Sequence, residues 1–251
     1  MEKFNFYQIT DLHYYGNEEI GSYGKHFDLR CGIDQKCVAE SGAIIDAAFA
    51  ELAADKDNEI VIISGDLTYD GEKISHDLLL KKLQKLKDAG KRIFVTFATH
   101  DFDNNARGYT EIGEFKLEEY TRAELREHYK DFGWNEAVSE HVPSYSYAVK
   151  MVPGWRFLML NDDGDGRSFC GYDETLIEWI KNQAKEAEKE GERVIAVTHH
   201  PMLPPGLIYP LFSHRDMLGG YEVTAPMFAD LGIQFRFTGH THMQSVTCID
   251  T

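Results

Sequence analysis

The sequence predicts an α/β fold with a largely parallel sheet. Three observations predict it. Short apolar runs alternate with segments of helical period. The runs are short and rich in β-branched residues, as buried strands are. Five of them stop at a polar cluster containing Asp or His. The length of 251 residues suits one large domain with a substantial core and no need of disulfides.

Phe4–Thr10 reads as the first strand and ends at Asp11-Leu12-His13. A Gly- and Tyr-rich loop is expected from Tyr14 to about Arg30. Lys36–Ala54 has helical period, with Val38, Ile44, Ile45, Ala48, Phe49 and Leu52 on an apolar side. Glu59–Ser64 is a buried strand ending at Gly65-Asp66, and Ser75–Ala89 is an amphipathic helix closed by Gly90. Arg92–Ala98 is the next strand, ending at Thr99-His100-Asp101. The rhythm breaks over residues 103–139, a polar stretch with a helical middle at Glu114–Tyr129, read as a cap inserted over the sheet edge. Tyr145–Val149 and Trp155–Leu160 form an antiparallel pair across Pro153-Gly154. Leu176–Glu190 is helical, and Arg193–Thr198 is a strand ending at His199-His200-Pro201. After a Pro-rich loop, Thr224–Leu231 is a short helix, and the strand Gln234–Thr238 ends at Gly239-His240-Thr241-His242.

Composition narrows the function classes. Forty-two acidic against 26 basic residues give a net charge of −16, which repels a phosphate backbone in bulk and weighs against nucleic acid as a partner. No stretch approaches the roughly 20 apolar residues of a membrane helix, and the first ten residues lack the pattern of a secretory signal. The expectation is a cytoplasmic protein with no membrane partner. Cys31, Cys37, Cys170 and Cys248 are too scattered for a disulfide framework and read as free thiols.

The polar clusters carry the chemistry. Asp-x-His alone is common, Gly-Asp-Leu is usually a turn, and His-x-His is a modest metal signal. Ligands of an open α/β sheet bind beyond the carboxyl ends of its strands. Asp and His gathered there are donors for Mn, Fe, Zn or Co.

In this order the motifs resemble those of the calcineurin-like metallophosphoesterases: Asp11-Leu12-His13, Gly65-Asp66, Ala98-Thr99-His100-Asp101, His199 and Gly239-His240-Thr241-His242. The resemblance runs over nearly the whole chain. It looks closest to the bacterial cyclic-nucleotide-phosphodiesterase-like branch, supported more weakly by Thr-His-His-Pro and Tyr-Ser-Tyr segments. It implies a four-layer αββα sandwich of two mixed sheets flanked by helices. Because the chain stops nine residues after His242, an incomplete second sheet is one form this fold is expected to take here.

The resemblance also implies a two-metal site with a bridging hydroxide. Asp11, His13 and His242 hold the first metal, Asp66 bridges, and His199 and His240 hold the second. His199 is preferred to His200 because it lies two positions before Pro201. His100, oriented by Asp101, acts on the leaving group. The implied activity is hydrolysis of a small-molecule phosphate ester, a diester in preference to a monoester. The metals are Mn or Fe first, with Zn or Co behind.

The sequence departs from the family in its third motif. Ala98 replaces Gly, and Thr99 replaces the Asn whose carbonyl oxygen is a ligand of the second metal. A Thr hydroxyl is the poorer donor, so the second site is expected to be weakened. A non-catalytic scaffold is the alternative this change favours. Asp66-x-x-Tyr69 also matches the purple acid phosphatase pattern, in which the Tyr binds ferric iron; with His13 present, Tyr69 is not expected to be a ligand. His26, His76, His128, His141 and His214 read as mostly solvated, and Arg215 is a weak candidate to face a phosphate. Tyr109, Phe115 and Tyr120 of the cap read either as core or as a platform for substrate.

Overall fold

The computed structural model describes residues 4–163, 170–206, 209 and 216–248. The chain divides into two compact units, Met1–Phe132 and Gly133–Thr251.

The first unit is built on three parallel strands, β1 (Tyr7–Ile9), β2 (Ile60–Ser64) and β3 (Arg92–Thr96), hydrogen-bonded in that order. Ile9 pairs with Ile63 and Ile63 with Val95, so the apolar runs lie in register. Every residue of β2 is buried, as expected of a central parallel strand. Helices α3 (Ser41–Ala54) and α4 (Lys73–Asp88) connect the strands; they bury Ile45, Phe49 and Leu52, and Leu79, Leu83 and Leu86. Each such side chain contributes about 1.5–3 kcal/mol on burial, and Leu83→Ala is expected to cost about 2–5 kcal/mol because it leaves a cavity.

Several elements differ from the sequence reading. The expected loop after His13 contains α1 (Asn17–Ile20) and α2 (Gly24–Ile33). Helix α2 buries Phe27 but exposes Leu29 and Ile33, so it shows no apolar stripe to read. Helix α3 starts at Ser41 rather than Lys36, because Cys37 adopts a left-handed φ of 50° and breaks the helix there. In the expected cap, β4 (Arg107–Tyr109) and β5 (Glu114–Lys116) form an antiparallel hairpin, and the helix is confined to α5 (Arg122–His128). Thr121 and Glu124 close a capping box that fixes the start of α5. Tyr109 packs with Tyr15, Phe27, Val38 and Tyr69 in a small core, Phe115 is exposed, and the Tyr120 hydroxyl donates to Asp77.

The second unit has a five-stranded mixed sheet, with β6 (Ala137–His141), β7 (Ser146–Val149), β8 (Trp155–Met159), β9 (Arg193–Val197) and β10 (Phe235–Phe237) running from one edge to the other. Strands β8, β9 and β10 are parallel, and β6 and β7 add antiparallel neighbours. The turn at Pro153-Gly154 joins β7 to β8 as expected, with Gly154 at φ 78°. Strand β6 is an addition to the sequence reading; its alternation is blurred by an irregular register between Ala137 and Ser139. Helix α6 (Glu174–Glu190) is capped by Asp173, and α7 (Tyr221–Asp230) tolerates Pro226. Leu176, Ile180 and Ala187 pack with Leu158, Ala196, Phe228 and Ile233 into the core of this unit. Arg156 is buried with Glu192 at 2.8 Å and Gln183 Oε1 at 2.9 Å.

The α/β class holds, with one parallel and one mixed principal sheet among the described residues. The four cysteines are free, and no described helix is long and apolar enough to cross a membrane. His214 and Arg215 lie outside the described residues.

Candidate metal centre

In the first unit, the three parallel strands deliver Asp11 and His13, Asp66, and His100 and Asp101 to one sheet edge. The ladder continues past the strand ends. The N–H of Asp11 donates to Gly65 O at 3.2 Å, that of His13 to Asp66 O at 3.0 Å, and that of Tyr14 to Leu67 O at 3.1 Å. The His100 N–H donates to the Asp66 carboxylate at 3.1 Å. His13 Nε2 lies 3.8 Å from Asp11 Oδ1 and 3.6 Å from Asp66 Oδ2. Those spacings exceed a hydrogen bond; ligand atoms about 2.0–2.2 Å from a shared ion lie roughly 3–4 Å apart. Burial pushes the His13 imidazole down to about 3, so it is held as the neutral donor a metal requires.

The backbone at these positions is unusual. Nine described residues other than glycine have positive φ, and five of them are expected ligands: Asp11, His13, Asp66, His240 and His242, at 53°, 41°, 52°, 72° and 51°. Left-handed backbone costs a residue with a Cβ about 1–2 kcal/mol. Its concentration on these Asp and His residues points to a function of their side chains. Gly65, at φ 87°, allows the sharp turn into Asp66.

His100 is held differently from the expectation. Its Nδ1 lies 2.7 Å from Tyr69 O and 3.0 Å from Asp70 Oδ1, and its Nε2 lies 2.9 Å from Lys36 Nζ. The Asp101 carboxylate instead accepts the N–H groups of Leu67, Thr68 and Ala98 at 2.7, 3.0 and 2.9 Å. Asp101 thus fastens the loop after β2 to the turn after β3, and Asp70 orients the imidazole.

Behind this turn sits His76, expected to be solvated and in fact fully buried. Its Nε2 lies 2.8 Å from Asp101 O and its Nδ1 2.9 Å from the Tyr129 hydroxyl. Burial pushes it down to about 4. His141 is likewise buried. Ala98 needs no glycine, since its φ is not positive and its N–H and C=O both engage Asp101. Thr99 is partly exposed on the same turn. Tyr69 is buried, and its hydroxyl donates to Asp34 at 2.7 Å, which turns it away from a ligand role.

The second unit uses the same device. Strands β9 and β10 end at His199 and at Gly239-His240, and the Gly239 N–H donates to His199 O at 2.8 Å. His199, His200 and His240 each offer a ring nitrogen within 4.8 Å of the others. His200 is engaged elsewhere as well: its Nδ1 lies 2.9 Å from Asp162 Oδ1, and its Nε2 3.1 Å from Cys170 Sγ. Asp162 pulls the His200 imidazole well above its ordinary range, and is itself held well below the usual carboxylate range by the same contact. Those ties favour His199, which is fully buried, as the ligand of the pair. His242 is exposed at the end of the turn.

Imidazoles and carboxylates gathered in this way fit divalent metals as a donor set. Sequence reasoning missed Asp70, His76, Asp162 and Lys36. Asp70 and Lys36 occupy loops with no motif, and His76 and Asp162 act through burial.

Residues 4–244 match the calcineurin-like phosphoesterase family. A dimetal phosphatase from Danio rerio is similar in structure, with a TM-score of 0.62 and 15% identity, over 95% of this chain and 82% of that one. A purple acid phosphatase from yellow lupin (Lupinus luteus) seeds is similar at a TM-score of 0.51 and 15% identity, over 79% of this chain and 33% of that one. No curated protein matches the chain by sequence. The family match spans the strands and the five motif positions of both units, and the chain belongs to the calcineurin-like phosphoesterases.

Proposed function

We propose that this phosphoesterase hydrolyses a small-molecule phosphate ester, a diester in preference to a monoester, with two divalent metals. Mn or Fe are the first candidates, and Zn or Co follow. As the family resemblance allots them, Asp11, His13 and His242 hold one metal, Asp66 is shared, and His199 and His240 hold the other. The observation that carries the reading is the left-handed backbone at Asp11, His13, Asp66, His240 and His242. When bound, such metals neutralise phosphoryl charge and make water nucleophilic near neutral pH.

The chain's own residues supply the rest. Tyr69 O and Asp70 fix Nδ1 of His100; Nε2, which Lys36 Nζ meets at 2.9 Å, would hold the proton for the departing oxygen once that contact is given up. Asp101 keeps the loops after β2 and β3 at constant spacing. The diester preference rests on the resemblance to the cyclic-nucleotide-phosphodiesterase-like branch. Residues 103–139 are proposed as the cap that shapes substrate choice; Asp103, Asn105, Lys116 and Tyr120 line a concavity there. Thr99 favours one second reading, a scaffold with a weakened second site.

The test is Mn-dependent hydrolysis of bis(p-nitrophenyl) phosphate beside p-nitrophenyl phosphate. Turnover abolished by chelation and higher on the diester supports the reading. Higher turnover on the monoester removes the diester preference. No metal-dependent turnover on either ester moves the assignment to the scaffold.

A further inference from the structure

Lys36 lies in the connection between α2 and α3, where no motif drew attention to it. Its Nζ is 2.9 Å from His100 Nε2 and 3.3 Å from Nδ1, and 5.3 Å from the centre of the Tyr69 ring. Its backbone N–H is anchored on Asp34 Oδ1 at 3.0 Å, so the side chain is aimed inward from a fixed point.

The carboxylates around it are already engaged. Asp34 accepts the Tyr69 hydroxyl at 2.7 Å and pairs with Arg30 at 3.4 Å. Asp70 meets His100 Nδ1 and Asn104 Nδ2, each at 3.0 Å, and Arg30 at 3.9 Å. Among the described residues, no carboxylate stands within ion-pair distance of Lys36 Nζ, and its hydrogen bonds go to an imidazole. Burial pushes its ammonium down, against the pull of Asp66, Asp70 and Asp34. A desolvated ammonium facing an imidazole is poorly compensated. An arriving anion would compensate it far better, and a lysine is a compact point charge suited to phosphate oxygens.

We propose that Lys36 Nζ is a phosphoryl-oxygen contact of this site, and that on binding it moves its hydrogen bond from the His100 imidazole to a non-bridging oxygen of the phosphate. The proposal rests on the phosphoesterase reading for the identity of the anion, and on geometry for the contact. It places one cation of the chain itself beside the phosphate, next to the turn where Thr99 weakens the expected metal ligation. Lys36 is therefore a substrate-contacting residue, and its removal should act on affinity more than on the fold.

The test uses Lys36→Met and Lys36→Arg in the Mn-loaded protein, with inorganic phosphate as the probe. Calorimetric titration should show phosphate affinity falling about tenfold or more in Lys36→Met, the size of a lost charge-assisted hydrogen bond. Lys36→Arg should recover part of it. KM for bis(p-nitrophenyl) phosphate should rise with the phosphate dissociation constant, while the melting temperature holds or rises. Phosphate affinity in Lys36→Met within twofold of the parent, or no phosphate binding by the parent, overturns the proposal. The two readings fail separately: phosphate binding that depends on Lys36 without turnover keeps the contact and removes the hydrolase, whereas turnover with Lys36-independent phosphate binding does the reverse.

Discussion

The N–H of His13 donates to the carbonyl oxygen of Asp66 at 3.0 Å, which fastens the loop leaving β1 to the loop leaving β2 where each carries an expected ligand. Both residues have left-handed backbone. The hydrogen bond fixes the spacing of their side chains before any ion arrives, so that binding need not order the loops.

Backbone strain predicts a trade between stability and function. His242 is exposed and has φ 51°. His242→Gly should leave the metal-free protein as stable as the parent or up to about 1 kcal/mol more stable, since glycine tolerates that φ. The same change should weaken metal binding. Denaturant midpoints in chelator, set beside metal titrations, measure both; a destabilised variant with intact affinity would show that His242 is structural.

Much of this was legible in the sequence. The five strands that carry motifs have period and composition that name them, and each ends within three residues of its expected polar cluster. Helix α2 was not legible, because Phe27 is its one buried residue. The start of α5 could have been read from Thr121 and Glu124, a capping box masked by the charged residues before it. His76 looked solvated on a charged helix, yet it is buried against Tyr129 and Asp101. Its burial depends on long-range packing that no local window contains.

Thr99, in place of the Asn that the resemblance implies, is expected to weaken the second metal site. Thr99→Asn restores a carbonyl donor and should tighten the weaker of two metal-binding steps by about tenfold, the scale of one outer or inner ligand contact. Isothermal titration with Mn reads the two steps separately. Unchanged affinity would mean that Thr99 is not placed to ligate.

Two buried groups predict opposite limbs of a pH–stability curve. His76 has a folded value of about 4 against an ordinary 6.5, so its contribution is complete above about 6.5 and is lost as pH falls toward 4. Glu72 is pushed up to about 8 from 4.5 by burial and by Asp70, so its contribution is complete below about 4.5 and is lost as pH rises through 8. Each limb is worth on the order of 3–5 kcal/mol. Glu72→Gln should flatten the alkaline limb and leave the acid limb in place. Melting curves from pH 4 to pH 9 provide the check, and an alkaline limb unchanged in Glu72→Gln would refute its assignment.

Arg156 predicts a loss unrelated to catalysis. It is buried, with Glu192 at 2.8 Å and Glu186 and Glu190 both at 3.4 Å. Arg156→Met leaves Glu192 with Lys150 alone, at 2.7 Å, and strands the Gln183 side-chain oxygen; it should cost about 2–4 kcal/mol. Urea unfolding of the variant measures it; a loss under about 0.5 kcal/mol would place the cluster among ordinary surface pairs.

The central claim is that the strained Asp and His residues are metal ligands. Metal content of the purified protein after Mn loading and desalting, measured beside Asp66→Asn, tests it most directly. The account predicts two ions per chain in the parent, or one tight and one weak if Thr99 limits the second, and a clear loss in Asp66→Asn with the fold intact by circular dichroism. A parent that retains no metal, or an Asp66→Asn variant that retains the full complement, would contradict it.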